Sequence, residues 1–287
     1  MQRIKYNHTE LRKHGKGIVN SAVKTPLYHF FRTFGYPVLN PLSLVLCLTH
    51  RCNLRCLTCK IYDDPVDELA AEEWEKVFRR IGKGILWFTV TGGEPFIRDD
   101  IEQVITSLLT HCAPKFITIP TNGYFCEAAP SIVNSLCNKF PETRFILNIS
   151  IDAVGADHDA IRRLPGSFDR AVETFRRTAT SKPQNMRLGI YTVISKFNIE
   201  MIPDLIAYVR NLGPDTHHFE IAQPRRELSM EGVHIAPSGN TFRAISRQIR
   251  RNILQSYHQR TDGVIDAFRG EYYRNVEESF CDGKAMP

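Results

Sequence analysis

The chain, 287 residues long, is predicted to be an α/β protein: a partial (β/α)6 TIM-like barrel of parallel strands over 43–224, with a basic helical leader over 1–42 and a helical extension over 225–287. Three observations predict it. Six short apolar runs alternate with segments whose apolar residues recur at helical spacing, and unbroken apolar strands suit a parallel sheet buried on both faces. Right-handed crossovers curl such a sheet, and six units instead of eight leave the barrel open at one side. Every polar motif follows an apolar run, at the C-terminal end of a strand, where barrel proteins build their sites.

The elements follow in order. The breakers Gly35-Tyr36-Pro37 and Asn40-Pro41 free the chain to enter Ser43 to Thr49, a continuous run of strand length. Trp74, Val77, Phe78 and Ile81 then stripe a helix, and Ile85 to Thr91 is the second strand. Ile101, Val104, Ile105 and Leu108 stripe the next helix, before the short strand Phe116 to Ile119. Ile132, Val133, Leu136 and Phe140 lead to a fourth strand, Phe145 to Ile151, with a loop after it and Ser167 as N-cap of the following helix. Leu188 to Ile194 is the fifth strand, the helix striped by Met201, Ile202, Leu205, Ile206 and Val209 ends at Gly213, and His217 to Ile221 is the sixth strand.

Composition is that of a globular protein, 43% hydrophobic and 24% charged. Eight cysteines in a chain of this length without a secretory signal point to reduced thiols and a cytoplasmic location, and no apolar run reaches the length of a membrane span. The net charge of +6 is uneven, with Arg3, Lys5, Arg12, Lys13, Lys16, Lys24 and Arg32 set against the single acid Glu10 before the first strand. That leader could make peripheral contact with a membrane of anionic lipid. The favoured reading is a solvated helix packed through Phe30, Phe31 and Phe34, and nucleic acid is not an expected partner.

Cys52-Asn53-Leu54-Arg55-Cys56-Leu57-Thr58-Cys59 packs three thiols into eight residues directly after the first strand. Thiolates are soft ligands that select zinc, copper or iron–sulfur clusters. A structural site is normally closed by four protein ligands, whereas an open position is the arrangement that chemistry needs. Two readings follow: a centre completed by a small molecule, or a zinc site closed by His50 or Cys47. The latter would make the chain a zinc-binding module with a nucleic-acid or protein partner.

With Thr91-Gly92-Gly93-Glu94-Pro95 ending the second strand, the Cys-x3-Cys-x2-Cys loop resembles the radical S-adenosylmethionine (SAM) superfamily, over roughly Ser43 to Pro224. The resemblance implies that Cys52, Cys56 and Cys59 hold a [4Fe–4S] cluster whose open iron binds SAM. It implies an enzyme that cleaves SAM reductively to a 5′-deoxyadenosyl radical, which takes a hydrogen atom from a peptide or small-metabolite substrate. A flavodoxin or ferredoxin would supply the electron. It also implies SAM contacts from Gly92, Gly93, Asn122, Ser150 and Asp152. Glu94 either reaches the cofactor or anchors the loop, and Arg162 either grips a carboxylate or makes a loop salt bridge. A side chain at Gly93 is expected to weaken SAM binding while sparing the cluster.

Two departures from the family pattern stand out. Thr58 replaces an aromatic residue before the third cysteine, for which Tyr62 could substitute, and Arg163 replaces a glycine. Glu220, Arg225 and Arg226 end the sixth strand, where the arginines could grip an anionic substrate, while His217 and His218 are read as structural. Cys112, Cys126 and Cys137 lack ligand spacing and read as packing thiols. Cys281, in Phe280-Cys281-Asp282-Gly283-Lys284, resembles the entry to the auxiliary-cluster extension of SPASM-type members, an extension expected to be incomplete here.

Overall fold

The computed structural model describes residues 30–36, 40–64, 66–257 and 263–282, without the side chains of 252–270. The basic residues from Arg3 to Lys24 and the Gly283-Lys284 end of the Cys281 motif lie outside the described residues. The chain divides into two units, Met1–Leu42 and Ser43–Pro287. In the first, residues 30–34 are helical and the rings of Phe30 and Phe34, both exposed, stand 4.5 Å apart.

The second unit is a parallel sheet of six strands in sequential order: β1 (Ser43–Cys47), β2 (Trp87–Thr91), β3 (Phe116–Thr121), β4 (Arg144–Ser150), β5 (Met186–Ile194) and β6 (Thr216–Ile221). Helices fill the crossovers: α1 (Ala71–Ile81), α2 (Ile101–Cys112), α3 (Ala128–Lys139), α4 (Ala156–Arg162), α5 (Ser167–Ser181) and α6 (Ile202–Leu212). Together they make the partial TIM-like barrel that the alternation predicts. One core runs through it, with Phe78, Phe88, Ile117, Leu147 and Ile190 at its centre, each without exposed surface. Burial of each such side chain stabilises the fold by roughly 1.5–3 kcal/mol.

Differences from the sequence reading have local causes. Strand β1 stops two residues short of Thr49 because the chain leaves the ladder there: Leu48 N still donates to Thr91 O at 2.8 Å, but Thr49 O accepts from Gly93 N at 2.7 Å. The segment read as a loop after the fourth strand contains helix α4, whose C-cap is Arg163 at φ 57°. That is the left-handed conformation glycine adopts most easily, so the glycine-like backbone survives the substitution. Ser167 is not the N-cap of α5. The Asp159 carboxylate caps that helix from outside, accepting from Gly166 N at 2.6 Å, Phe168 N at 2.8 Å and the Ser167 hydroxyl at 2.8 Å.

Two further helices, α7 (Gly239–Tyr257) and α8 (Gly263–Asp282), form an antiparallel pair joined by Arg243–Asp282 at 2.5 Å and Arg250–Glu277 at 3.1 Å. Phe242, Ile249 and Tyr273 carry the pair into the barrel's own core. The Tyr273 hydroxyl accepts from Phe219 N at 2.9 Å and lies 3.3 Å from Phe219 O, so it occupies backbone groups on β6. No helix among the described residues is long and apolar enough to cross a membrane.

Candidate functional site

The three-thiol loop is fixed from four directions. Gly93 N and Glu94 N donate to Thr49 O at 2.7 Å and Arg51 O at 2.9 Å, joining the turn after β2 to the start of the loop. The glycines are required by this contact: a Cβ on Gly93 would lie 2.1 Å from Arg51 O, and one on Gly92, at φ +146°, 2.3 Å from Thr49 O. What a side chain meets here is the thiol loop itself, so Gly93 cannot be altered while sparing that loop. On the opposite side, Arg55 N and Leu57 N donate to the last carbonyls of α4, Arg162 O at 3.2 Å and Ile161 O at 2.9 Å. Lys60 N donates to Leu228 O at 2.9 Å, in the segment after β6.

The fourth support is ionic and was not legible in the sequence. Buried Arg98 donates to Leu48 O at 2.8 Å and Leu69 O at 2.9 Å and pairs with Asp100 at 2.7 Å. Glu68 pairs with Arg51 at 3.1 Å and Arg98 at 3.4 Å and accepts from the Thr49 hydroxyl. Within the loop Leu54 and Thr58 are buried, and the Arg55 guanidinium sits 4.2 Å above the Tyr62 ring.

Each sulfur has a donor near it. Cys52 Sγ accepts from Leu54 N at 3.4 Å and faces Asn122 Nδ2 at 3.9 Å, Cys56 Sγ faces Arg162 at 3.8 Å, and Cys59 has the Ile61 amide. Such donors favour a thiolate bound to metal. Burial pushes all three thiols up, Cys52 to about 11, so they are protonated at neutral pH and metal must displace the protons. Three thiols on one pinned loop, each facing a donor, fit a cluster held by cysteine thiolates. Among the described residues no three His, Cys, Asp or Glu side chains form a ligand group for a single metal ion. The two residues that could close a zinc site are engaged elsewhere, His50 Nδ1 with Asp64 O at 2.6 Å and Cys47 Sγ with Thr49 O at 3.6 Å.

The strand ends surround this loop. Glu94 is fully buried, and its carboxylate accepts from the Thr121 hydroxyl at 2.8 Å, Asn122 N at 2.7 Å and Phe96 N at 3.3 Å. It therefore anchors the turn to the end of β3, and burial raises its pKa to about 7. Asn122 reaches the loop from there, donating from Nδ2 to Asn53 Oδ1 at 2.8 Å. Ser150 ends β4, half-buried. Buried Asp152 accepts from Val193 N at 2.9 Å and pairs with Arg162 at 2.7 Å, so the guanidinium makes an internal ion pair beside Cys56. His158 Nδ1 accepts from Asp152 N at 3.1 Å, and burial pushes this imidazole down to about 3.

At β6, Glu220 pairs with Arg225, one of the two arginines read as able to grip an anionic substrate, and also accepts from the Tyr191 hydroxyl. His217 is buried against Thr192 Oγ1 at 2.9 Å and is structural. Cys112 and Cys137 are buried in the core, Cys126 faces Arg170 at 3.5 Å, and Cys281 Sγ donates to Gly239 O at 3.2 Å.

Comparison with known proteins gives the family. The Radical SAM superfamily model matches residues 46–209. The pre-heme d1 synthase of Dinoroseobacter shibae is 28% identical over 173 residues, covering 58% of this chain and 40% of that protein. A probable GTP 3′,8-cyclase of Methanocaldococcus jannaschii is 23% identical over 247 residues, covering 83% of this chain and 78% of that one. Among solved structures, Streptococcus suis SuiB bound to its precursor peptide SuiA superposes with a TM-score of 0.61 at 16% identity, covering 89% of this chain and 53% of SuiB. SuiB has also been solved with SAM. This chain thus spans about half of SuiB and less of the synthase. It belongs to the radical SAM superfamily, whose members take a [4Fe–4S] cluster and SAM.

Proposed function

We propose that Cys52, Cys56 and Cys59 are the three protein ligands of the cluster, and that the chain abstracts hydrogen from a peptide or a small metabolite. The observation that carries this reading is the pinning of one thiol loop between the Gly92–Gly93 turn, Asn122 and the end of α4. The bound cofactors would supply a 5′-deoxyadenosyl radical once a reductant protein, flavodoxin or ferredoxin, delivers an electron in the cytoplasm. The chain's part is to hold and shield. The Gly92–Gly93 backbone, the Asn122 amide, the Ser150 hydroxyl and the Arg162 Nε, which has no hydrogen-bond partner among the described residues, are the groups proposed to meet SAM. Glu94 acts behind them, because its carboxylate is occupied by Thr121 and Asn122, and Asp152 holds the Arg162 guanidinium. Both substrate classes have support among the relatives, a peptide on SuiB and GTP in the name of the archaeal cyclase.

The test is anaerobic reconstitution. About four irons per chain and reductant-dependent formation of 5′-deoxyadenosine from SAM are expected. Stoichiometric zinc with no iron uptake and no SAM cleavage would sink the reading.

A further inference from the structure

Arg162 is the cation that faces a sulfur of the thiol loop from outside it. Its side chain is 11% exposed, with NH2 2.7 Å from Asp152 Oδ2 and NH1 3.8 Å from Cys56 Sγ. The position is built with some care. Asp152 is itself 1% exposed and its other oxygen accepts from Val193 N at 2.9 Å, so the carboxylate that aims the guanidinium is locked to β5. The backbone carbonyl of Arg162 accepts from Arg55 N at 3.2 Å, so the residue that carries the charge also holds the loop against it. Arginine stays protonated in proteins, and a charge out of water is screened little.

A second cation offers a contrast. Arg55 lies within the loop, with NH1 2.7 Å from Cys52 O, but it is exposed, over the Tyr62 ring. Water and salt screen such a charge.

We infer that Arg162 sets the reduction potential of the cluster through its contact with Cys56, with Asp152 as the positioning residue. The inference rests on the three cysteines being the ligands, as proposed above. Reduction adds one negative charge to the cluster. A buried positive charge at a ligand sulfur stabilises the reduced form more than the oxidised form, and net charge and hydrogen bonds to the sulfurs are the protein's principal means of moving such potentials. Arg162 therefore raises the potential and eases the electron's arrival.

The experiment is a potentiometric titration of the reconstituted full chain without SAM, followed by electron paramagnetic resonance, with iron counted on every sample. At the wild-type midpoint half the cluster is reduced. Arg162→Gln should leave about a tenth or less reduced there, a tenfold change in the ratio or ~59 mV for one electron. Arg162→Lys, which keeps the charge, should recover most of that shift, and Arg55→Gln should move the midpoint several-fold less. A wild-type midpoint in iron-replete Arg162→Gln overturns the inference. So does an equal shift in Arg162→Lys, which would make the role one of shape, or in Arg55→Gln, which would make it one of net charge. Where Arg162→Gln takes up no iron, Arg162→Met, neutral and closer to arginine in length, is titrated in its place: a lowered midpoint is expected, and a wild-type midpoint overturns the inference. A wild-type chain that binds no cluster fails the proposed function first, and this inference with it.

Discussion

Cys56 and Cys137 carry the same thiol in opposite settings. Cys56 lies on a loop pinned by backbone bonds from three other segments, with a guanidinium at its sulfur. Cys137 is packed in helix α3 within the core, and burial alone pushes it to about 12. Burial raises both thiols, so burial does not separate the proposed ligand Cys56 from Cys137. What separates these two is the presence of a donor that compensates a negative charge on sulfur.

The sharpest way to break this comparison is to delete each thiol. Cys52→Ala, Cys56→Ala or Cys59→Ala should each abolish both iron retention and SAM cleavage, whereas Cys137→Ala should keep both. Iron retained in all three loop variants would remove the distinction. Next in size is Gly93→Ala, whose added Cβ meets the Arg51 backbone. It should cost about 2–4 kcal/mol in urea unfolding and lower iron uptake together with SAM binding. A stable, iron-replete Gly93→Ala variant that loses only SAM affinity would restore the expectation that the turn serves the cofactor alone.

Buried groups sharpen the contrast through pH. The neutral imidazoles of His158 and His217, pushed down to about 3, contribute stability that is present above pH 6.5 and lost as pH falls towards 3. Glu94, raised from 4.5 to about 7, contributes stability present below 4.5 and lost as pH rises through 7. Between pH 4.5 and 6.5 the unfolded chain gains two imidazole protons and lacks one carboxyl proton. The net effect is a stability that rises by about 1 kcal/mol per pH unit, measurable by urea unfolding at pH 5 and 6. His217→Gln should flatten that slope and Glu94→Gln should steepen it, and the opposite signs would refute the assignment. Cys137→Ala should cost about 1 kcal/mol. The smallest effect is expected of Cys281→Ser, whose sulfur donates to the Gly239 carbonyl at 3.2 Å, with about four irons per chain unchanged.

The barrel was legible because its signals are local. Six apolar runs and the stripes between them need no knowledge of what lies across the sheet, and the cysteine spacing is contained in eight residues. Helix α4 was missed because Ala156–Arg162 is too short to show a stripe, burying only His158 and Ile161. The Arg162–Cys56 contact spans 106 positions and the Arg98–Glu68 pair spans 30. Ion pairs of that kind leave no period in a sequence, since any acid and any base satisfy the pattern until folding selects two. Glu94 was ambiguous because its partners, Thr121 and Asn122, lie at the end of the next strand.

The hydroxyl of Tyr273 on β6 bears on how the chain is made. Strand β6 is complete at Ile221, yet the side chain that occupies the Phe219 amide comes 54 residues after it. During synthesis from the N-terminus, a barrel already folded through its last strand would wait on the ribosome with those backbone groups uncovered. Uncovered strand edges are templates for pairing with other chains. Nascent chains halted between residues 221 and 273 should therefore be the ones that aggregate or recruit chaperones.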